Sequence, residues 1–304
     1  MQHFAQISDP HLSSLEGVRA GDLLSKRALG YLSWRRRRRH EHRPEVLAAL
    51  QRDLDQFELD QVLVTGDLTH IGLPREFSQA LAWLENLGTP EQIALIPGNH
   101  DASVPSPWQD TFALWLDYMA SDGPRGTQES LAALYPSLRT RGDIAFIGLS
   151  TACPKPPFMA TGTVGAEQLA RLPALLDAAR ARGQFRVVYL HHSPLPGKDK
   201  WRKRLTDAAE VQAVISRHGA ELVLNGHGHR AHYDELTTTH GSAPVIAVPS
   251  ASALGLHGNP ASYNCYSVER NDGGWQLAIH SRDYQPGSGE FSPGESRQVQ
   301  LLRE

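Results

Sequence analysis

The sequence predicts an α/β fold with a mainly parallel sheet, or two sheets, covered by helices. Three observations carry this. Short β-branched runs bounded by Gly, Pro or Asp alternate along the chain with segments of helical apolar spacing. The connections between them are short, as in sheets whose strands are linked through helices. The 304 residues are 40% apolar and 21% charged, an ordinary globular composition with enough chain for a sizeable core.

The first strand is "HFAQI", followed by "VLVTG" (Val62 to Gly66), "IALIPG" (Ile93 to Gly98) and "IAFIGLS" (Ile144 to Ser150). "VVYLH" (Val187 to His191), "LVLNG" (Leu222 to Gly226) and "VIAVPS" (Val245 to Ser250) complete the set of buried-strand patterns. Val46, Leu47, Leu50, Leu54 and Phe57 recur at helical spacing after Pro44, which suits a first helical turn. Phe77, Leu81, Leu84 and Leu87 form a second helix ended by Gly88. Two more run from Ala166 to Arg182 and from Thr206 to His218, each followed by Gly. "SYNCYSVER" and "WQLAIHSRDY" read as an antiparallel pair turning at "NDGG", and Gln285 to Glu295, rich in Pro and Gly, reads as loop. With no repeat and no linker, residues 1–304 form one domain, carrying a basic, amphipathic insertion at about 21–43 and a loop-rich tail at about 283–304.

A net charge of −3 gives no global attraction to nucleic acid or anionic membranes, so any such attraction is local. Only Cys153 and Cys265 are present, which excludes a disulfide framework and favours a reducing compartment. The N-terminal stretch lacks the basic and apolar regions of a signal peptide, and no apolar run approaches the ~18 residues of a membrane span. The expected location is the cytoplasm, with peripheral attachment at the inner membrane surface as a further option.

Five strand runs end in small polar clusters: "SDPH" (Ser8 to His11), "GDL" (Gly66 to Leu68), "GNHD" (Gly98 to Asp101), "HH" (His191, His192) and "GHGH" (Gly226 to His229). Singly these are turns or caps. In parallel α/β sheets, however, the C-terminal strand ends share one edge, so the clusters should converge. The gathered Asp, Asn and His, without thiolates, suit manganese, iron, zinc or cobalt and argue against iron–sulfur or structural zinc. Seven side chains are too many for one ion. Two ions held roughly 3.5–4 Å apart stabilise both attacking and leaving oxygens in phosphoryl displacement. Two divalent cations with Asp9, Asp67 and a bridging hydroxide leave about +1 of charge to attract a phosphate ester.

The ordered set "DPH", "GDL", "GNHD", "HH" and "GHGH", running from Asp9 to His229, resembles the calcineurin-like metallophosphoesterase superfamily, and within it the bacterial branch of class III cyclic-nucleotide phosphodiesterases and glycerophosphodiesterases. The resemblance implies a four-layer α/β/β/α sandwich with two central mixed sheets around a binuclear centre. It implies Asp9, His11 and His229 on one metal, Asn99 and His227 on the other, and Asp67 bridging both. Of the "HH" pair it selects His191 as ligand, although a ligand two residues before Pro194 would be His192. It gives His100 a catalytic role at the phosphoryl oxygen or leaving group, with Asp101 orienting it. Residues i and i+2 of an extended segment point the same way, so His227 and His229 can both face the cavity, with Gly226 and Gly228 letting the backbone pass close. His192 is also a candidate substrate contact, as is His257 in "SALGLHGNP", which reads otherwise as a surface loop residue.

Arg35 to Arg39, with Lys26, Arg27 and Arg43, make a basic patch preceded by an apolar complement of Leu23, Leu24, Ala28, Leu29, Tyr31, Leu32 and Trp34. It reads as a solvated helix end, as a cap whose Arg35 meets an anionic substrate, as a segment for an anionic membrane surface, or as a nucleic-acid contact. The leading function is a binuclear-metal phosphodiesterase acting on a phosphate ester through direct attack of a metal-bridging hydroxide. The alternatives are a nuclease on single-stranded or damaged DNA and a pyrophosphohydrolase on a lipid-linked nucleotide sugar. A non-enzymatic scaffold is disfavoured because every ligand position is filled.

Overall fold

The structure, a computed structural model, describes residues 1–12, 14–123 and 129–302. β1 (Gln2–Ile7) is followed by α1 (Arg27–Ser33), one turn of π-helix (Trp34–Arg38) and α2 (Arg39–Glu41), then α3 (Pro44–Leu54) and β2 (Gln61–Val64). α4 (Pro74–Leu87) leads to β3 (Ile93–Leu95), and the short α5 (Leu116–Met119) and α6 (Leu131–Leu134) precede β4 (Ser137–Arg141) and β5 (Ile144–Leu149). α7 (Ala166–Ala181), β6 (Phe185–Leu190), α8 (Ala208–His218) and β7 (Leu222–Asn225) alternate strictly. The chain ends in five strands' worth of antiparallel structure that starts with β8 (His232–Thr238) and β9 (Gly241–Ala247) and continues through β10 (Ser262–Asn271), β11 (Gly274–Gln285) and β12 (Glu290–Leu302).

Two mixed six-stranded sheets result, in the orders β12-β11-β10-β1-β2-β3 and β4-β5-β6-β7-β9-β8. β1, β2 and β3 run parallel in the first, and β5, β6, β7 and β9 run parallel in the second. Side-chain alternation along β6 shows how they stack. Phe185, Val187 and Tyr189 enter the core between the sheets, which also holds Phe4 of β1. Val188 and Leu190 enter a second core with Leu172 and Leu176 of α7 and Val211 and Ile215 of α8. α3 and α4 cover the outer face of the first sheet through Leu50 and Phe77. The layers are therefore helix, sheet, sheet, helix.

Three expectations need correction. β4 and β8 were absent from the strand reading because "SLRTR" and "HYDELTT" are polar edge strands without an apolar run. The tail is strand rather than loop: β12 pairs with β11 from Gln285↔Glu290 to Gly274↔Leu302. Pro293 fits there because β12 is the sheet edge, and the register shifts between His280 and Arg282, where a ladder irregularity absorbs the Pro-Gly pair.

The insertion is packed across the rim. Trp34 is buried with Leu15, Ile71 and Leu73. Gly30 lets α1 lie against Ile71, whose Cγ2 is 2.5 Å from where a Cβ would stand. The Arg27 guanidinium donates to the carbonyls of Ile71 (3.1 Å) and Gly72 (2.6 Å). Among the described residues, no helix is long and apolar enough to cross a membrane.

Candidate metal centre

The parallel strands of both sheets end at one rim, and the polar clusters lie on it. Asp9 and His11 follow β1, Asp67 follows β2, and Asn99, His100 and Asp101 follow β3. His191 and His192 follow β6, and His227 and His229 follow β7. The sheets are tied together there. His227 N–H donates to Asp9 Oδ2 (3.0 Å), and His191 Nδ1–H donates to the Thr65 carbonyl (2.7 Å).

The backbone is strained at this rim. Among the described residues, six non-glycine residues have positive φ, and five are Asp9, His11, Asp67, His227 and His229, between 42° and 63°. Asp and His tolerate this left-handed region better than most residues, yet it costs on the order of 1–3 kcal/mol each. Gly98 and Gly226 permit close approach. A Cβ on Gly226 would overlap the Ser8 hydroxyl and sit 2.8 Å from Asp9 Oδ2, and one on Gly98 would overlap the Asp67 carboxylate. Gly228 is not needed in this way, since a Cβ there meets nothing nearer than 3.9 Å.

Two groups of donor atoms emerge: Asp9, His11 and His229, of which His229 is half-buried, and the fully buried Asp67, His191 and His227, the atoms of each lying within 4.8 Å of one another. Their hydrogen-bond pattern leaves lone pairs facing inward. His11 Nδ1–H donates to the Thr69 carbonyl (3.0 Å), and its buried Nε2 has no hydrogen-bond partner among the described residues. His227 Nε2 is likewise buried and unpartnered. His191 Nδ1 carries the proton given to Thr65, and its Nε2 lies 3.3 Å from both Asp67 Oδ2 and Asn99 Oδ1, where it offers a lone pair when the ring is neutral. His229 Nε2 lies 3.1 Å from Asp9 Oδ1. Carboxylate oxygens and imidazole nitrogens that converge in this way suit a cation between them, whether a proton or a metal ion.

The electrostatics agree. Burial, aided by the rings of His42, His100, His70 and His229, holds His11 well below the ordinary imidazole value, so it is a neutral donor. Burial and His192 do the same to His227. Burial would lower His191 too, but the Asp67 and Asp9 carboxylates outweigh it and push it up to about 10. Burial also opposes ionisation of Asp9, yet His229, His191 and the Ser8 hydroxyl hold it well below the usual carboxylate range. A proton on His191 and a cation beside Asp67 compete for the same lone pairs.

His100 lines a cavity of about 250 Å³ together with Asp67, Asn99, His227 and His229. Its Nδ1 is 2.6 Å from the His70 carbonyl, which can only accept, so Nδ1 carries the proton and Nε2 is left for a substrate. Arg38 Nη1 lies 3.0 Å from the same Nδ1 as a packing neighbour. Asp101 does not orient the His100 ring, contrary to expectation. Its oxygens accept from the N–H groups of Asp67, Thr69 and Gly98 and from the Thr69 hydroxyl, so it ties the Asp67 loop to the β3 loop. Burial beside Asp67 pushes Asp101 up to about 7, against these four donors.

His192 is buried on the other side of the chain, with Nδ1 on the Thr151 hydroxyl (2.7 Å) and Nε2 on the Ala160 carbonyl (3.0 Å), so both ring nitrogens are committed. The alternation along β6 puts His191 on the side of Phe185, Val187 and Tyr189, facing between the sheets. His257 is exposed in a loop and does not line the cavity, and Arg35 is exposed as well. The arginine that reaches the cavity is Arg38, turned inward by the π-turn. Lys203 and His70 also line the cavity, and the buried His42 ring stands 4.5 Å from His11. Sequence reasoning passed over Lys203, His70 and His42, and within the Arg35 to Arg39 run it singled out Arg35 instead of Arg38. Five consecutive arginines carry no mark of which one turns in, whereas His70, three residues after Asp67, was within reach.

Residues 2–231 match the sequence profile of a family described as "Calcineurin-like phosphoesterase". A 3′,5′-cyclic-nucleotide phosphodiesterase of Nostoc sp. is 28% identical over 233 residues, which are 74% of this chain and 71% of that protein. A protein of Vesicomyosocius okutanii named "Probable cyclic nucleotide phosphodiesterase" is 23% identical over 75% of this chain and 84% of its own length. The crystal structure of a dimetal phosphatase from Danio rerio superposes with a TM-score of 0.59 at 13% identity, covering 100% of this chain and 99% of that one, which speaks for the fold.

Proposed function

The chain belongs to the calcineurin-like phosphoesterase family and is a hydrolase of phosphoric esters, and we propose that it cleaves phosphodiesters with the aid of two divalent cations. Asp9, His11 and His229 would hold one cation, Asn99, His191 and His227 would hold the other, and Asp67 would supply a carboxylate to the pair. The observation that carries this is the rim itself, where the buried His11 Nε2 and His227 Nε2 have no hydrogen-bond partner among the described residues and carboxylate oxygens face the nitrogens of His191 and His229. Bound there, divalent cations supply Lewis-acid charge for a phosphoryl group and a nucleophile near neutral pH.

The chain's own residues do the rest. His227 N–H and the Ser8 hydroxyl fix Asp9, and His100 N–H fixes Asp67 (2.7 Å), so the carboxylates are set before substrate arrives. His100 presents Nε2 to the ester. Arg38 and Lys203 bring positive charge to the cavity wall, where a phosphate's negative oxygens would lie. The relatives named for cyclic nucleotides support a diester over a monoester, and they put cyclic nucleotides first in a substrate panel.

The test is reconstitution of metal-stripped protein with manganese, zinc or iron. Metal content, thermal shift, and hydrolysis of bis-p-nitrophenyl phosphate, p-nitrophenyl phosphate and cyclic nucleotides are then measured. Cations that bind the folded state alone raise Tm. Absence of any stoichiometric cation, or faster turnover of the monoester, would overturn the proposal.

A further inference from the structure

We propose that the face around the cavity mouth docks on an anionic lipid surface. Three segments meet there. Lys26 Nζ, at the start of α1, donates to the carbonyls of Met159 (2.8 Å) and Lys155 (3.3 Å). The Ala160 and Gly162 N–H groups donate in turn to the carbonyls of Arg202 (2.8 Å) and Arg204 (3.2 Å). Leu29, Phe158 and Lys203, one from each segment, line the cavity that holds His100.

These segments carry most of the chain's misplaced apolar surface. Eight large apolar side chains are exposed among the described residues, and five of them are Leu24, Leu29, Leu32, Phe158 and Trp201. Leu24 is 87%, Phe158 72% and Trp201 61% exposed, far beyond scattered surface apolar residues. The same segments are strongly basic. Residues 20–41, 155–162 and 197–206 hold thirteen Lys and Arg against three Asp and Glu, in a chain whose net charge is −3. The charge is therefore separated in space, with this face positive and the remainder negative.

The occupant follows from three requirements. It must be anionic, it must accept leucine, phenylalanine and tryptophan tips, and, given the phosphoesterase reading on which this rests, it must leave phosphoester groups at the cavity mouth. A nucleic acid meets the first and third but offers no apolar layer. A protein seated on the face would close the entrance. A bilayer with anionic headgroups meets all three, with the tips in the acyl boundary and the arginines and lysines among the headgroups.

The experiment is sedimentation of the full-length protein with vesicles of phosphatidylcholine alone and of phosphatidylcholine mixed with phosphatidylglycerol, at low and high salt. The expected result is binding to the mixed vesicles alone, weakened by salt. A Leu24→Asn, Trp201→Ser double variant should bind at least about tenfold more weakly. An Arg36→Gln, Arg37→Gln, Lys200→Gln variant should lose on the order of fivefold per charge removed. Both variants should hydrolyse a soluble phosphodiester as the parent does. No binding to mixed vesicles, equal binding to both vesicle types, or binding that ignores Leu24 and Trp201 would overturn the inference. Vesicle binding is read without catalysis, so a failure of the phosphodiesterase reading leaves this result legible.

Discussion

The His227 N–H donates to Asp9 Oδ2 at 3.0 Å, joining residues 218 positions apart and fastening the rim of one sheet to the rim of the other. Asp9 therefore has a structural duty on Oδ2, shared with the Ser8 hydroxyl, and in the proposed function a ligand duty on Oδ1, which faces His229. The two can be separated. Asp9→Asn can keep an oxygen on His227 and tolerates the φ of 51°, so its stability should stay within about 1 kcal/mol while the first cation is lost. Asp9→Ala removes both functions and should cost about 1–3 kcal/mol more. Denaturant midpoints and metal analysis of both variants check this.

His191 and His192 are adjacent and both fully buried, yet their substitution should differ in its effect on the cations. His191→Ala should remove a cation, since its Nε2 faces Asp67 and Asn99, and should also destabilise by about 1–3 kcal/mol by stranding the Thr65 carbonyl. His192→Ala should retain both cations but strand the Thr151 hydroxyl and the Ala160 carbonyl, destabilising by about 1–3 kcal/mol. Metal content and unfolding free energy, measured on the same samples, decide it.

The rim was legible in the sequence because apolar strand runs end directly in ligand-type residues, with a glycine beside them in "GDL", "GNHD" and "GHGH". Parity along a strand distinguishes His191 from His192 once Phe185, Val187 and Tyr189 are seen to share one face. What was illegible depends on long-range packing. β4, β8 and β12 are edge strands whose pairing partners, not their own composition, make them strands. Arg38 differs from Arg35 only through the π-turn and the burial of Trp34, neither of which an arginine repeat reveals. The family resemblance assigned Asp101 to the His100 ring, whereas its hydrogen-bond donors come from Asp67, Thr69 and Gly98.

The two glycines of "GHGH" should not be equivalent. Gly226→Ala would push a methyl into the Ser8 hydroxyl and Asp9 Oδ2, displacing a carboxylate that must be placed within a fraction of an ångström. A loss in kcat/KM of about a hundredfold is expected, as for a misplacement of roughly 1 Å. Gly228→Ala has open space and should change stability by no more than about 0.5 kcal/mol and leave metal content unchanged. Equal damage from the two substitutions would show that close approach at Gly226 is not what the motif requires.

Burial pushes the Cys265 thiol up to about 12, with Asp53 adding to the shift and Arg282 opposing it. The folded chain thus keeps this proton after the unfolded chain has released it near 9.0. Above that pH the unfolded state binds fewer protons, so stability present below pH 9 is lost as pH rises toward 12. Between about pH 9 and 10 Cys265 should contribute about 1 kcal/mol of the loss, and that part should be absent in Cys265→Ala, the remainder coming from buried tyrosines such as Tyr135 and Tyr266, whose hydroxyls burial also pushes up. Native Cys265 should also resist iodoacetamide at neutral pH and react once the chain is unfolded.

Arg38 and Arg35 are three residues apart in a run of identical side chains, and only Arg38 lines the cavity. Burial lowers the Arg38 pKa, and the Asp67 and Asp9 carboxylates oppose that effect, which leaves the guanidinium charged beside the site. Its hydrogens are not spent on the carboxylates and can reach a phosphate's oxygens. Arg38→Ala should therefore lower kcat/KM for a phosphodiester by about a hundredfold, the scale of losing one charged donor at a reacting anion, while both cations still bind. Arg38→Lys should recover part of that loss, because a point charge replaces a planar fork. Arg35→Ala should stay within about twofold on the same soluble substrate, since an exposed charge at a distance is screened by salt. If Arg35→Ala proved as damaging as Arg38→Ala, the inward turn of the helix at Trp34 would have no bearing on catalysis, and the basic run would act through its overall charge alone.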